Sequence, residues 1–442
     1  MKSDRFPRRL LLACLLLAAA APARAQLGLP SLPSLPSLHL PKPVGPAGPG
    51  ELRRPLERLL DRAPLPELER ARADHLAGLL ARHPNRLQQD PFGNVVVRGE
   101  ILAWSPTPAG LQAAAADGLA VARHEDFADL GQTLVVLSVP AGGGPDIASL
   151  LDKLRAADPG GVYDFNHVFS GSGAQGGAQA APVWTPGAGP ALRVGLVDSG
   201  VDRAHAVFEE VEIRQWGCDG AQRPAPHGTA VAALMVGRSV HFAGAAPGGS
   251  LYAADVYCDE PTGGSVERIL GALGWLAREQ VGVVNLSLVG PRNAALARAV
   301  EAMLSRGHLL VAAVGNDGPA APPLYPASYP GVVGVSAVDR RGQPLPEAGR
   351  GPQVMFAAPG SQMVSAVPGK PPYRQVRGTS YAAPIVAGLL ARQLPRPDRD
   401  GARRALAQLA REAAAGQNGS ISNATGHGVV GAGVRIDPAQ LR

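Results

Sequence analysis

Arg377-Gly378-Thr379-Ser380-Tyr381-Ala382-Ala383-Pro384, followed by Ile385-Val386-Ala387-Gly388-Leu389-Leu390-Ala391, reads as a turn feeding an apolar helix that carries a serine in its first turn. The first turn of a helix leaves backbone N–H groups unpaired and partly positive, so negative charge developing on a carbonyl beside Ser380 would meet donors already in place. Pro384 still lies where a missing N–H costs little. Alone, a Gly-Thr-Ser of this kind is an N-cap and nothing more. Groups upstream give it chemistry.

A serine nucleophile requires a base to take its proton and an acid to orient that base. Arg193-Val194-Gly195-Leu196-Val197-Asp198 is an apolar run ending in a carboxylate. Such a run reads as a buried strand, and sites in parallel α/β sheets gather at the carboxyl ends of strands. His227-Gly228-Thr229-Ala230-Val231-Ala232 again leads a polar residue and Gly-Thr into a helix. The chain order is therefore Asp198, His227, Ser380.

That order, with these local contexts, resembles the subtilisin-like serine proteases over residues 184–442. Val283-Val284-Asn285-Leu286-Ser287-Leu288 is similar to the family's substrate-binding strand, and Ala312-Ala313-Val314-Gly315-Asn316-Asp317-Gly318 to its oxyanion segment. The resemblance implies Asp198, His227 and Ser380 as catalytic residues and Asn316 as oxyanion donor. It also implies Ser287, Leu288, Val289, Gly290 and Gly315 as substrate-binding positions. Tyr325-Pro326-Ala327-Ser328-Tyr329-Pro330 and Gly426-His427-Gly428 resemble the family too. His205 and His427 lack the helix-entry context and read as structural.

The chain of 442 residues is 45% apolar with a net charge of +6. It can bury a large core, and the basic excess forms no dense run, so a nucleic-acid surface is not expected. Apolar strands alternating with helical stretches from Trp184 onward predict an α/β fold, a doubly wound, mostly parallel sheet covered on both faces. Lys2, Arg5, Arg8 and Arg9 precede an apolar stretch from Leu10 to Ala21 and the small residues Ala23-Arg24-Ala25. Residues 1–25 read as a signal peptide, too short to span a bilayer, so a secreted protein, periplasmic or extracellular, is expected. Cys218 and Cys258 then remain, an even number in an oxidising compartment, and read as a disulfide, with two unrelated buried thiols as the alternative.

Residues 26–50 are a Pro-rich linker by composition, and 51–88 a helical segment whose leucines are interrupted by Pro64 and Pro66. Residues 89–170 read strand, helix, strand, strand, helix, strand, an α+β ferredoxin-like pattern. By resemblance this is a propeptide-type domain that inhibits the enzyme from within the chain, although a plain accessory domain shares the pattern. Residues 171–183, rich in Gly, Ala, Ser and Gln, read as a flexible linker ahead of the domain at 184–442. The resemblance thus implies a secreted serine endopeptidase made as a self-processed precursor, acting on protein or peptide substrates as a monomer without a cofactor. The other class to weigh is a non-catalytic binding protein on the same fold.

The sequence also departs from that family. Val289 stands where glycine usually lets a substrate side chain enter the specificity pocket, and Leu324 falls in the same region. Asp317 beside it would instead suit a basic partner. The segment from His227 to Pro247 carries no carboxylate, and Val207 stands where many relatives place a calcium-binding aspartate, so no metal is expected.

Overall fold

The computed structural model describes residues 65–139, 146–171, 174–178, 192–239, 242–415 and 420–436. The signal-peptide and Pro-rich readings at residues 1–50 lie outside them. Helix α1 (Leu65–Arg82) opens the described chain, with Pro66 in its first turn rather than breaking it. Strands β1 (Leu87–Gln89) and β2 (Val95–Trp104) form a hairpin, and α2 (Pro108–Ala116), β3 (Ala120–Phe127), β4 (Gln132–Ser138), α3 (Ile147–Ala157) and β5 (Val162–His167) complete this part. Thr107 caps α2, its hydroxyl accepting from Gly110 N at 3.1 Å. The sheet is antiparallel in the order β3-β4-β2-β5, and β1 lies on the start of β2.

Next come two short strands, β6 (Ser170–Gly171) and β7 (Ala174–Ala178). They take up residues 171 and 174–178 of the stretch read as a flexible linker. Composition describes a free chain, whereas here both strands find backbone partners elsewhere in the molecule.

The larger sheet is built from β8 (Arg193–Asp198), β9 (Ile213–Trp216), β12 (Ser250–Asp255), β13 (Val283–Leu286), β15 (Leu309–Ala313), β16 (Val333–Val338) and β17 (Val354–Pro359). All are parallel, in the order β17-β16-β15-β13-β8-β12-β9. The smaller strands are β10 (Arg238–Ser239), β11 (Phe242–Ala243), β14 (Leu288–Val289), β18 (Met363–Ala366) and β19 (Tyr373–Arg377). The central strand β8 comes first. The chain then moves to one side through β9 and β12 before β13 crosses to the other flank and the sheet grows outward. The reversal of strand order thus lies between β8 and β13, where a crevice opens at the carboxyl ends.

Helices α4 (Pro226–Val236), α5 (Val266–Arg278), α6 (Ala294–Ser305), α7 (Thr379–Ala391) and α8 (Arg399–Ala415) cover this sheet. Helix α7 is apolar all round and buried along nearly its whole length, as a helix between layers must be. One core joins α4 and α7 to the sheet. The other runs under α5 and α6 and continues into the N-terminal sheet through Trp104, Phe127, Leu134 and Val136. Gly274 makes that continuity possible. A methyl group there would lie 2.3 Å from the Phe127 ring, so any larger residue would force the N-terminal sheet off α5.

Polar contacts fix the same docking. Asp164 and Asn166 on β5 accept from Ala294 N (2.6 Å) and Glu267 N (3.1 Å), in the first turns of α6 and α5. Both helices thereby gain partners for N–H groups that have none within the helix. Among the described residues no helix is long and apolar enough to cross a membrane.

Candidate active site

Three elements converge on the crevice. Strand β8 ends in Asp198, α4 begins Pro226-His227, and α7 begins Thr379-Ser380. His227 Nδ1 lies 2.8 Å from Asp198 Oδ1, and its Nε2 lies 3.0 Å from Ser380 Oγ. The acid is 2% exposed and the serine fully buried, while the His227 side chain keeps 19% of its surface. Since Asp198 faces Nδ1, the imidazole carries its proton there and offers the Nε2 lone pair to the serine hydroxyl.

The surroundings hold each group. Asp198 Oδ1 also accepts from Ser199 N (2.7 Å) and Ser199 Oγ (3.1 Å), and Ser199 Oγ accepts from Gly228 N (3.0 Å). The acid and the start of α4 are thereby one unit. The Tyr381 ring packs 5.3 Å from the His227 ring and limits its rotation. Asp255 stands beside Asp198 in register on β12. Burial, assisted by the Asp198 charge, pushes its carboxyl above the usual range even though Tyr257 N and Cys258 N donate to it.

Asn316 follows Gly315, whose φ of +96° turns the chain toward α7. Its Oδ1 accepts from Thr379 N at 3.0 Å, while Thr379 Oγ1 accepts from Gly315 N at 3.2 Å. This clasp fixes the amide plane. Among the described residues the buried Asn316 Nδ2 has no hydrogen-bond partner, and Asn316 sits against Thr379, the neighbour of Ser380. An unpaired buried donor is costly, and it becomes useful when an oxyanion forms there.

Ser287 turns inward. Its hydroxyl donates to Ser380 O (2.9 Å) and accepts from Asn285 Nδ2 (2.8 Å), so it positions the serine-bearing helix. Leu288 and Val289 present their backbone to the cleft and pair antiparallel with Gly171 and Ser170 of β6. Gly290 pairs with Tyr325, and the Phe169 ring occupies the space where a Gly290 side chain would be.

On the opposite wall Phe169 N donates to Gly264 O at 2.8 Å, and Val168 bridges to Ser265. Residues 168–171 therefore form the middle strand of three, and Gly171 lies against the His227 ring. Beyond it β7 pairs with β19, Ala174 opposite Arg377, which is three residues before Ser380. Sequence reading missed Asn285 and Gly264, whose roles depend on partners far along the chain. It also missed Arg72 of α1, which reaches Asp317 beside Asn316 (Nε to Oδ2, 2.6 Å).

His205 and His427 are not part of the site. His205 bonds Pro372 O and Val207 N, and His427 packs on Phe356. Cys218 and Cys258 form a disulfide with Cα atoms 5.2 Å apart, tying the loop after β9 to the loop after β12. Among the described residues the one cluster of metal-ligating types is this cystine with Asp255, and sulfurs bonded to each other are poor ligands.

The sequence model of the Subtilase family matches residues 189–428. Subtilisin E of Bacillus subtilis (strain 168) is 33% identical over 217 residues, 46% of this chain and 55% of its own length. Thermitase of Thermoactinomyces vulgaris is 33% identical over 219 residues, 48% of this chain and 77% of its own. The match thus spans little more than half of Subtilisin E. Among solved structures, fervidolysin from Fervidobacterium pennivorans, a keratinolytic enzyme related to subtilisin, superposes with a TM-score of 0.62. It shares 19% identity over 77% of this chain and 61% of its own, which is a likeness of fold.

Proposed function

Since this chain belongs to the subtilase family, we propose that it is a secreted serine endopeptidase that cuts its own precursor. Ser380 Oγ attacks the peptide carbonyl while His227 Nε2 takes its proton. The negative oxygen that results is met by Asn316 Nδ2 and the Ser380 N–H. His227 then gives the proton to the leaving amine, and water repeats the sequence in reverse to free the acyl group. Asp198 holds the imidazole tautomer throughout.

The observation that carries this reading is the hydrogen-bonded line Asp198–His227–Ser380, with an amide donor beside it that has no partner among the described residues. A binding protein on the same fold would gain nothing from that line or from a buried donor without a partner.

The self-cutting is supported by what fills the cleft. Residues 168–171 lie between Gly264–Ser265 and Leu288–Val289 as a substrate strand would, and β7 departs along β19 toward the other side of Ser380. We infer that the bond cut lies between Gly171 and Ala174. The N-terminal sheet, docked on α5 and α6, then remains as an inhibitor until it dissociates or is degraded, which keeps the enzyme silent during export.

The test is to express the wild-type chain and Ser380→Ala in parallel and read intact masses and N-terminal sequences. Wild type should yield a fragment beginning at residue 172, 173 or 174, and the variant should stay joined. A wild type that is active at full length, or a variant trimmed identically, refutes the self-cutting. Peptide hydrolysis by Ser380→Ala refutes the catalytic assignment itself.

A further inference from the structure

The two edges of β19 are held very differently. One pairs antiparallel with β18, Met363 opposite Val376 and Ala366 opposite Tyr373. That hairpin is firmly seated. Met363, Val364, Ala366, Tyr373 and Val376 are buried in the core that α4 and α7 share, and Ser365 Oγ donates to Ala230 O of α4 at 2.7 Å. At the end nearest the site Arg377 forks onto the buried Glu347 carboxylate, Nε to Oε1 at 2.7 Å and Nη2 to Oε2 at 3.0 Å. The other edge is covered, among the described residues, by β7 alone.

That second edge follows the path of a cleaved chain. Strand β19 runs toward Ser380, so the antiparallel β7 begins near the serine, Ala174 opposite Arg377, and leaves with Ala178 opposite Arg374. The residues that follow a cut bond take the same direction, away from the nucleophile. A strand edge presents a row of N–H and C=O groups with which an extended peptide pairs through its own backbone. The edge of β19 therefore has the polarity to receive the leaving side of a substrate, opposite the acyl side at Leu288–Val289 and Gly264–Ser265.

The two pieces that fill the cleft part company once the chain between Gly171 and Ala174 is cut. Residues 168–171 belong with the N-terminal sheet and can leave with it. Strand β7 is joined through residues 179–191 to β8 and stays in the catalytic molecule. A tether of that kind keeps its local concentration high. Its grip is nonetheless weak. The pairing with β19 shifts register between Arg374 and Val376, and Ala174-Gln175-Gly176-Gly177-Ala178 has no β-branched or aromatic residue and two glycines, which lose the most freedom in a strand. A peptide of better strand formers can displace it.

We propose that β7 remains on β19 in the mature enzyme and competes, from within the chain, with the leaving side of each substrate. The inference rests on the self-cutting protease reading above and adds a control that persists after the N-terminal domain has gone. It also names a substrate class. Extended polypeptides with β-branched residues after the cut bond displace β7 and are favoured over glycine-rich ones, while small leaving groups never meet it.

The test uses the self-processed enzyme, freed of its N-terminal domain, with the recognition sequence of an unrelated site-specific protease inserted after Ala181. Two substrates share the residues that precede the self-cut bond located by N-terminal sequencing. One ends in aminomethylcoumarin, and the other continues Ala-Val-Thr-Val-Thr. Cutting at the inserted site removes the tether from β7 and should raise kcat/KM on the second substrate about tenfold, through KM, as for an edge occupied about nine-tenths of the time. The coumarin substrate should change by less than about twofold. Hydrogen exchange across Tyr373–Arg377 should be slow before that cut and faster after it. Gln175→Pro/Gly177→Pro removes two backbone donors from β7 without any cut and should show the same split between substrates, so either protein carries the test.

Equal gains on both substrates, no gain on either, or exchange in β19 that the cut leaves unchanged overturns the inference. Labelling of Ser380 by a small fluorophosphonate separates the readings. An enzyme that is labelled and self-cut but indifferent to the loss of β7 loses this inference alone. A chain that is labelled but never cuts itself loses the self-cutting and this inference, and one that is neither labelled nor active loses the protease reading as well.

Discussion

Replacing Asn316 by alanine should separate binding from chemistry. The amide is fixed by its clasp with Thr379, and among the described residues its Nδ2 has no partner to lose. Substrate affinity should therefore hardly change. In the transition state the same N–H meets a full negative charge in a dry site, and loss of one such donor costs about 2.7–4 kcal/mol, or about a hundred- to a thousandfold in kcat. KM should stay within about threefold.

Alanine also removes the Oδ1 bond to Thr379 N, worth about 1 kcal/mol, and that loss belongs to stability. Asn316→Asp keeps an acceptor for Thr379 N but turns a carboxylate oxygen toward the developing charge. It should be at least as slow as alanine while melting nearer to wild type. Single-turnover cleavage of a quenched peptide, with melting curves alongside, measures both effects. A kcat within about fivefold of wild type in Asn316→Ala, or a loss confined to KM, would refute the assignment of this amide to the oxyanion.

Further expectations follow from features outside the catalytic line. Closing a loop with a sequence separation of 40 by the Cys218–Cys258 disulfide should stabilise by roughly 4 kcal/mol at most, so Cys218→Ser/Cys258→Ser should melt earlier. Two free thiols in the denatured, unreduced wild type would contradict the bond. Arg72→Ala breaks a half-buried ion pair to Asp317 worth about 1 kcal/mol, and should shorten the latency of the cut but still inhibited enzyme about fivefold; an unchanged lag refutes a role for α1 in the grip. Burial, with Arg306 nearby, holds His308 below the usual histidine range despite its bond to Val281 O. A depressed folded value means that its contribution is present above about pH 6.5 and is lost as pH falls below that. Melting temperature should drop between pH 7.5 and 5 more steeply in wild type than in His308→Gln, and equal slopes would dismiss the effect.

Asp198, His227, Ser380 and Asn316 were legible because each stands at the end of a strand or the start of a helix, where a local pattern of apolar run, polar residue and glycine betrays it. The parallel sheet was legible for the same reason, since strands buried on both faces read as continuous apolar runs. Asn285 carries no such mark. Its role is to hold Ser287, which bonds a carbonyl 93 positions further on, and no local pattern encodes that distance.

The strands at residues 170–171 and 174–178 show most clearly what composition leaves out. Gly, Ala, Ser and Gln offer no side chains to anchor a strand, so the sequence alone reads as slack chain. Strand pairing, however, runs through N–H and C=O groups that every such residue has, and here the register comes from partners already in place at Leu288–Val289 and Tyr373–Arg377. Phe169 supplies the one large anchor, 1% exposed against Gly290, and the segment beyond it needs only to be thin. Small residues suffice for such strands, because the pairing with Leu288–Val289 and Tyr373–Arg377 is made by the backbone and asks nothing of the side chains.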